Sequence, residues 1–285
     1  MYAIMGATGK VGGAAARALL ARGEPLRVVV RDAAKGKPWQ ERGCEIAIAD
    51  LDDAAGLARA FGGCAAAFVM LPSNFDPSPD FHETKAKLAT LRQALDEARP
   101  GRVVALSTIG AEARRPNLLN QLGLLEQALA TPGLPTTFLR AAWFMQNAAL
   151  DVAAARDTGV IQSYLQPLDR PVPMIATEDV GATVAGLLTE SWDGPRIVEL
   201  AAGGVSPNMI AAAFARAIGK PVRADPVPRA DWEQIFRSQG MTNPLPRMQM
   251  LDGFNEGWIA FGQPGTIARQ GRVGIDDVVT KLLAG

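Results

Sequence analysis

Apolar residues along this chain fall into two alternating patterns: short continuous runs, and longer stretches with helical spacing. Runs of four to seven mostly apolar residues predict strands that are buried on both faces of a sheet. Stretches with apolar positions three and four residues apart, such as Leu88, Leu91 and Leu95, predict amphipathic helices. The predicted strands span residues 2–5, 26–30, 45–49, 65–71, 102–106, 136–139 and 196–200. The predicted helices between them span residues 10–21, 54–61, 81–98, 118–130 and 177–190.

Strands that alternate with helices predict βαβ units, in which neighbouring strands run parallel and helices cover both faces. After residue 139 the alternation loosens, and Pro167, Pro171 and Pro173 predict a loop-rich connection before a helix with Thr177 as its N-cap. From residue 206 onward we predict helices over 210–218, 229–239 and 246–258, without strands between them. The predicted fold class is therefore α/β: a Rossmann-type doubly wound parallel sheet with a smaller, mostly helical C-terminal substrate lobe.

We predict a division of the chain into two parts. Residues 1–141 and 177–203 form the dinucleotide-binding domain, and residues 142–176 and 204–285 form the smaller substrate-binding lobe. The lobe is expected to cover one edge of the sheet.

Charge and composition narrow the classes of partner. Apolar residues make up 48% of the chain and charged residues 20%, which is typical of a globular protein. Its 29 lysines and arginines balance 29 aspartates and glutamates, so no net charge draws the protein to nucleic acid or to a membrane surface. No apolar stretch approaches the roughly 18 residues of a membrane span. We expect a cytoplasmic protein with a small-molecule substrate, and the sequence leaves its oligomeric state open.

The scarce residues argue against a metal site. His82 is the only histidine, and Cys44 and Cys64 lack the paired short spacing of zinc ligands. Each cysteine lies just ahead of a predicted strand, so both are expected to be small buried residues and not a disulfide pair. His82 opens a predicted helix and is expected at its surface.

A glycine-rich turn joins the first strand to the first helix. It reads Gly6-Ala7-Thr8-Gly9-Lys10-Val11-Gly12. Gly6 permits the sharp turn, Gly9 lets the backbone approach a pyrophosphate, and Gly12 lets the helix pack against the sheet. The helix N-terminus then supplies oriented N–H groups, so this turn is predicted to bind a dinucleotide.

The end of the second strand distinguishes the two nicotinamide cofactors. A carboxylate there binds the 2′-hydroxyl of NAD, whereas an arginine accommodates the 2′-phosphate of NADP. Arg31 follows the strand directly and Asp32 comes next. Since a guanidinium pairs with phosphate through two charge-assisted hydrogen bonds, we predict NADP(H) over NAD(H).

The ends of the later strands complete the predicted cofactor groove. Topology assigns the adenine side to the residues after the third strand and a backbone wall to those after the fourth. The predicted cofactor-binding residues are Gly6, Ala7, Thr8, Gly9, Lys10, Val11, Arg31, Asp50, Leu51, Leu71, Pro72, Ser107 and Thr108.

At these positions the chain resembles the NmrA-like family of atypical short-chain dehydrogenase/reductases, which includes quinone reductases and NADP-sensing regulators. The resemblance rests on the glycine-rich turn, Val30-Arg31-Asp32, Leu106-Ser107-Thr108, the segment from Gly133-Leu134-Pro135 to Leu139-Arg140, and Trp143-Phe144-x-x-Asn147. It implies a cofactor groove along the strand ends and a substrate cleft between the sheet and the C-terminal lobe.

The catalytic pair of the wider superfamily is missing. Most short-chain dehydrogenases use a tyrosine with a lysine four residues later, but Tyr2 is followed at that spacing by Gly6 and Tyr164 by Leu168. Some NmrA-like reductases have a lysine four residues before a glutamate, and the position four before Glu126 is Leu122. Alcohol–ketone chemistry assisted by such a side chain is therefore disfavoured, and we assign no catalytic acid or base.

Hydride transfer to a quinone needs less from the protein, because the electron-poor ring accepts hydride and solvent can protonate the weakly basic oxyanion. Positioning in a flat apolar slot then supplies most of the catalysis, with Asn147 and Ser107 as candidate hydrogen-bond donors. The candidate substrate residues are Phe75, Trp143, Phe144, Asn147, Met174 and Phe254. We therefore predict an NADPH-dependent reductase of a quinone or similar unsaturated acceptor. The alternatives are a non-enzymatic NADP-binding redox sensor that acts through a protein partner, and an isomerase or ether-reducing enzyme, which would normally require a side-chain base.

Overall fold

The structure, a computed structural model, describes residues 1–284. Its strands are β1 (Tyr2–Met5), β2 (Leu26–Val30), β3 (Glu45–Ile48), β4 (Ala66–Val69), β5 (Val103–Thr108), β6 (Thr136–Ala141), β7 (Trp143–Phe144), β8 (Val160–Ser163), β9 (Val172–Ile175), β10 (Arg196–Ala201), β11 (Gly203–Val205), β12 (Arg223–Pro226) and β13 (Ile267–Gln270). Its α-helices are α1 (Lys10–Leu20), α2 (Ala33–Gln40), α3 (Ala54–Phe61), α4 (His82–Ala98), α5 (Asn120–Leu129), α6 (Val152–Asp157), α7 (Thr177–Thr189), α8 (Pro207–Ile218), α9 (Trp232–Ser238), α10 (Leu245–Glu256) and α11 (Ile275–Ala284). Met145–Asp151 and Arg229–Asp231 are 3-10 helices.

Eight strands form one parallel sheet in the order β13-β10-β6-β5-β4-β1-β2-β3. The order reverses between β1 and β4, which creates the crevice at the carboxyl ends of the strands where ligands bind in such sheets. Helices α1, α2 and α7 pack on one face of the sheet, and α3, α4 and α5 pack on the other. The predicted α/β class with a doubly wound Rossmann-type sheet is confirmed.

A second apolar core lies beside the sheet. It joins residues of the Met145–Asp151 turn, α8, α9, α10 and α11 to two small sheets, one of order β11-β9-β7 and one that pairs β12 with β8. The largest side chains at its centre are Trp232, Phe214 and Phe236. This core corresponds to the predicted smaller lobe, and the two-part division of the chain remains a prediction.

The predicted absence of strands after residue 206 is wrong. β12 pairs with β8, and β13 returns to the main sheet and pairs with β10 in register Val198↔Ile267. Three of the four β13 residues are exposed, because an edge strand has no neighbour on one side, and so the segment shows no continuous apolar run. β13 therefore belongs to the sheet although it lies within the range predicted for the lobe.

Two local predictions also differ from the structure. Thr177 is the first residue of α7 and not its N-cap; Ala176 takes that position, and the Thr177 N–H donates to Gln146 Oε1 at 2.9 Å. Cys44 and Cys64 are both buried, as predicted, and burial raises the pKa of each thiol. No helix within residues 1–284 is long and apolar enough to cross a bilayer.

Candidate functional site

The glycine-rich turn has a backbone shape that depends on missing side chains. Gly6 has a φ of +67°, a conformation that side chains other than glycine's rarely adopt. A Cβ on Gly12 would lie 2.4 Å from the carbonyl carbon and oxygen of Gly6 and 2.6 Å from the carbonyl oxygen of Met5. Gly12 is therefore required for the close approach of α1 to the end of β1.

Gly9 faces open space instead. A Cβ there would meet nothing closer than the Gly6 carbonyl oxygen at 3.4 Å. Gly9 is also the N-cap of α1, and no side chain accepts a hydrogen bond from the first turn of this helix. Its free N–H groups and positive dipole end therefore point toward a space that a diphosphate group fits, with the exposed Lys10 beside it.

The two charged residues at the end of β2 have different partners. Asp32 is the N-cap of α2, and its Oδ1 accepts a hydrogen bond of 2.9 Å from the Ala34 N–H. Arg31 is exposed and makes no hydrogen bond or ion pair with any residue from 1 to 284. Because the carboxylate is already used within the protein while the guanidinium is free, this strand end fits a 2′-phosphate better than a 2′-hydroxyl alone.

One cleft of about 380 Å³ runs along the carboxyl ends of β1, β4, β5 and β6 and extends to the lobe. It brings together 13 of the 19 different residues predicted for cofactor and substrate. These are Gly6, Gly9, Lys10, Val11, Leu71, Pro72, Phe75, Ser107, Thr108, Trp143, Phe144, Asn147 and Phe254.

 The other six predicted residues do not line this cleft. The six outside it are Ala7, Thr8, Arg31, Asp50, Leu51 and Met174.

Five of these six belong to the predicted cofactor groove. Ala7 and Leu51 are buried, at 3% and 5% exposure, so their side chains are core residues. Thr8, Arg31 and Asp50 are exposed beyond the cleft. Asp50 Oδ1 accepts a hydrogen bond of 2.7 Å from the Leu51 N–H, which ties this carboxylate to its own turn.

Met174, which was predicted to be a substrate wall, does not line the cleft. It is 0% exposed, and it lies in β9 opposite Trp143 of β7. Its side chain therefore belongs to the core of the lobe and cannot contact a ligand. It supports the strand that carries Trp143.

Aromatic residues form the lobe end of the cleft. The rings of Trp143 and Phe254 meet edge to face, with centroids 5.1 Å apart and planes at 89°. Phe75 is 53% exposed, which is unusual for a large apolar side chain. Asn147 is exposed on the 3-10 helix that follows β7. The lobe end of the cleft thus offers a flat apolar surface.

A buried ion network lies behind the cleft. Arg140 is 2% exposed; its Nη2 lies 2.6 Å from Glu126 Oε2 and its Nε donates to Glu126 Oε1 at 2.8 Å. Its Nη1 lies 2.8 Å from Glu112 Oε2. Burial alone would lower the pKa of Arg140, but the hydrogen bond to Glu126 and the charges of Glu126, Glu112 and Glu199 raise it overall.

Ser107 joins this network to the cleft. Its Oγ donates to Glu126 Oε1 at 2.5 Å, and both oxygens of that carboxylate already accept from Arg140. Since the hydroxyl has only one proton to donate, Ser107 presents acceptor lone pairs to the cleft. This differs from its predicted role as a donor.

Several cleft residues were not predicted. They include Met70 and Asn74 of the segment after β4, Gln121 and Leu122 of α5, Gln146 of the 3-10 helix, Thr177 of α7 and Met250 of α10. Leu122 had a signal in the sequence, since it holds the position where some relatives have lysine. The others are brought to the cleft by tertiary packing, for which the sequence offers no local pattern.

Tyr164 and His82, whose side chains could act as an acid or a base, both lie away from the cleft. Tyr164 packs against Trp232 and Phe236 in the lobe, with ring centroids 5.7 and 5.1 Å away, and burial raises the pKa of its phenol. His82 is exposed at the start of α4, as predicted. Neither lines the cleft.

The sheet order, the glycine turn at its crevice and the adjoining cleft define a Rossmann-type dinucleotide-binding protein. A profile described as the NmrA-like family matches residues 2–258. The chain belongs to this family, which confirms the predicted resemblance.

Two relatives match at the level of sequence. The NAD(P)H azoreductase of Xenophilus azovorans is 28% identical over 284 residues, which cover 99% of this chain and 92% of the relative. A (4-alkanoyl-5-oxo-2,5-dihydrofuran-3-yl)methyl phosphate reductase of Streptomyces griseus subsp. griseus is 26% identical over 226 residues, or 78% of this chain and 76% of the relative.

Solved structures share the fold. An NADPH-dependent quinone oxidoreductase of Escherichia coli in complex with NADPH has a TM-score of 0.81 at 22% identity, with 99% of both chains covered. A triphenylmethane reductase of Citrobacter sp. in complex with NADP(H) has a TM-score of 0.78 at 19% identity, again with 99% of both chains covered.

Proposed function

We propose that this protein is an NADPH-dependent reductase that transfers hydride to a quinone or a similar flat, unsaturated acceptor. One observation carries the proposal: a single cleft joins the glycine turn, at Gly9, to the aromatic pair of Trp143 and Phe254. A dinucleotide on the turn and a flat acceptor against the aromatic pair would therefore lie in the same cleft. The azoreductase and the quinone oxidoreductase among the similar proteins support this class of reaction.

NADP(H) is the proposed cofactor. The free guanidinium of Arg31, with Asp32 used as a helix cap, supports the phosphorylated form. The uncapped start of α1 would hold the diphosphate. When bound, the reduced nicotinamide supplies a hydride, and a proton from solvent completes reduction of the quinone to the hydroquinone.

In this proposal the side chains of the cleft position the acceptor and do not supply a proton. Leu122 occupies the place of a lysine, and Ser107 has its proton directed to Glu126. With no proton donor assigned among the lining residues, catalysis would rest on holding the acceptor against the hydride donor. This arrangement suits acceptors whose reduced form is a weak base, and it disfavours simple ketones.

The rate of NADPH oxidation with different acceptors tests the proposal. Purified protein should oxidise NADPH with naphthoquinone, benzoquinone or an azo compound, and a simple ketone should give at least about 100-fold less turnover because it needs a proton donor. Tight NADPH binding without turnover of any acceptor would favour the non-enzymatic redox sensor. Faster turnover of ketones than of quinones would contradict the proposed chemistry.

A further inference from the structure

Residues 72–81, here called the strap, cross from the sheet to the mouth of the cleft. The strap joins the end of β4 to the start of α4. Pro72, Asn74 and Phe75 line the cleft, and Phe75 is the half-exposed aromatic residue at its mouth. The position of the strap therefore sets the position of one cleft wall.

One carboxylate ties the strap to the lobe. Asp76 Oδ2 accepts hydrogen bonds from the Thr242 N–H at 2.9 Å and the Thr242 hydroxyl at 2.8 Å. Asp76 Oδ1 accepts a third from the Asn243 N–H at 2.6 Å. Asn243 Nδ2 returns a hydrogen bond of 2.8 Å to the Pro77 carbonyl oxygen. The backbone hydrogen bond from Thr242 is the main cause that holds the pKa of Asp76 below its ordinary value.

A second anchor holds the other side of Phe75. Gln121 Nε2 of α5 donates to the Asn74 carbonyl oxygen at 2.9 Å, and Asn74 Nδ2 donates to Glu83 Oε1 at 3.0 Å. Phe75 therefore lies between a residue fixed to the sheet domain and a residue fixed to the lobe. The Arg247 guanidinium, 5.6 Å from the ring centroid, adds a cation–π contact from α10.

We propose that Asp76 is a positioning residue that fixes Phe75 at the mouth of the cleft, so that the ring covers the distal part of a two-ring acceptor. This inference rests on the proposed function. An aromatic side chain left half exposed gains from being covered by another flat apolar surface. A one-ring acceptor would fit between the nicotinamide and the aromatic pair without this contact, so Asp76 selects for acceptors with extended ring systems.

Asp76→Asn is the informative change. An amide has one acceptor oxygen, and its NH₂ group would meet the N–H donors of Thr242 or Asn243, so the lobe anchor is lost while the shape is retained. With saturating NADPH, the KM for naphthoquinone should rise about 5- to 10-fold. The kcat, and the KM for benzoquinone, should stay within about twofold.

A double-mutant cycle separates positioning from general damage. Phe75→Leu should raise the KM for naphthoquinone by a similar factor, and the double variant should be no worse than Phe75→Leu alone, because Asp76 acts through Phe75. Asp80→Asn is the matched control, since this strap carboxylate contacts Ser78 and His82 and not the lobe. Thr242→Val, which removes one donor, is a milder variant should Asp76→Asn fold poorly, and it should raise the same KM about twofold.

The outcomes are distinguishable. Additive losses in the double variant, an equal rise in KM for both quinones, or an equal effect of Asp80→Asn would overturn the role of Asp76. If the wild type turns over neither quinone, the proposed function fails. The Kd of naphthoquinone for the NADP⁺-bound protein, measured by calorimetry, then decides the inference: the same 5- to 10-fold weakening in Asp76→Asn supports it, and an unchanged Kd overturns it.

Discussion

Ser107 Oγ lies 2.5 Å from Glu126 Oε1, and Glu126 is held in turn by Arg140. The serine hydroxyl at the end of β5 is therefore oriented by a charged carboxylate of α5, which packs on the same face of the sheet as this side chain. A ligand group that donates an N–H or O–H is favoured beside Ser107, whereas a bare carbonyl finds no proton there.

Arg140→Met should destabilise the protein. Arg140 is 2% exposed and compensates Glu126 directly, with Glu112 also in contact. Removing one partner of a buried pair leaves uncompensated charge, and we expect a loss of about 3 to 5 kcal/mol in the free energy of unfolding measured with urea. Arg92→Met, which breaks an exposed pair with Asp96, should cost less than about 1 kcal/mol. Similar losses in the two variants would show that the buried network adds nothing.

Arg31→Ala should separate the two nicotinamide cofactors. Loss of a charge-assisted contact to the 2′-phosphate should weaken NADPH binding by about 1.5 to 3 kcal/mol and leave NADH binding nearly unchanged. Calorimetric titration of both cofactors measures the difference. Equal losses for NADPH and NADH would place the 2′-phosphate away from Arg31.

Gly9→Val should abolish binding of either cofactor in a protein that remains folded. A Cβ on Gly9 lies no closer than 3.4 Å to the protein, so the added side chain occupies the space assigned to the diphosphate. Gly12→Ala is the contrasting variant, because its Cβ would lie 2.4 Å from the Gly6 backbone. That change should lower the free energy of unfolding by about 1 to 3 kcal/mol. Normal NADPH binding by soluble Gly9→Val would rule out the dinucleotide site.

Trp143→Ala should weaken the binding and positioning of the acceptor, although it removes no proton donor. We expect a higher KM and a lower kcat/KM for the acceptor, because without the indole ring the acceptor is held less precisely against the hydride donor. Tyr164→Phe and His82→Ala should each leave single-turnover hydride transfer within a few-fold of the wild-type rate, whereas loss of a true acid usually costs about 100-fold or more. A collapse of the rate in either variant would reveal an acid that the cleft geometry does not show.

Asp151 should make stability depend on pH. Burial raises the pKa of this carboxyl from 3.8 to about 6. The folded protein then holds an extra proton between those values, so stability is greatest below about pH 4, falls as the pH rises through about 6 and stays reduced above it. Asp151→Asn should remove this fall and stabilise the protein by about 3 kcal/mol at pH 8. Urea unfolding from pH 4 to pH 8 checks the slope, with the exposed Asp157→Asn at the end of α6 as control.

The sequence predicted the strands that form short, mostly apolar runs. β1 and β2 match their predicted ranges, and β4 lies within a predicted range that was one residue too long at its start and two at its end. Helix α2 was missed because Gly36 and Pro38 interrupt it and only Gly36 and Trp39 are buried, so it lacks an apolar face. β13 was missed because it lies at the sheet edge.

In the site as well, the sequence predicted features made of consecutive residues and missed those made by contacts between distant segments. The glycine turn was predictable because its chemistry lies in consecutive residues. Met174 was misassigned because alternation along the short strand β9 points it inward. The contact of Asp76 with Thr242 joins positions 166 residues apart, and nothing local in either segment indicates it.

Because β13 returns to the main sheet, the core of the sheet and the core of the lobe are expected to unfold together. The segment between β11 and β13 builds most of the lobe, and β13 pairs with β10 in the sheet. Pulling the lobe apart would therefore strip the sheet of its edge strand, and opening the sheet at that edge would release one end of the lobe. Each core therefore depends on the other for its complete set of contacts. This favours a single cooperative unfolding transition over two separate ones.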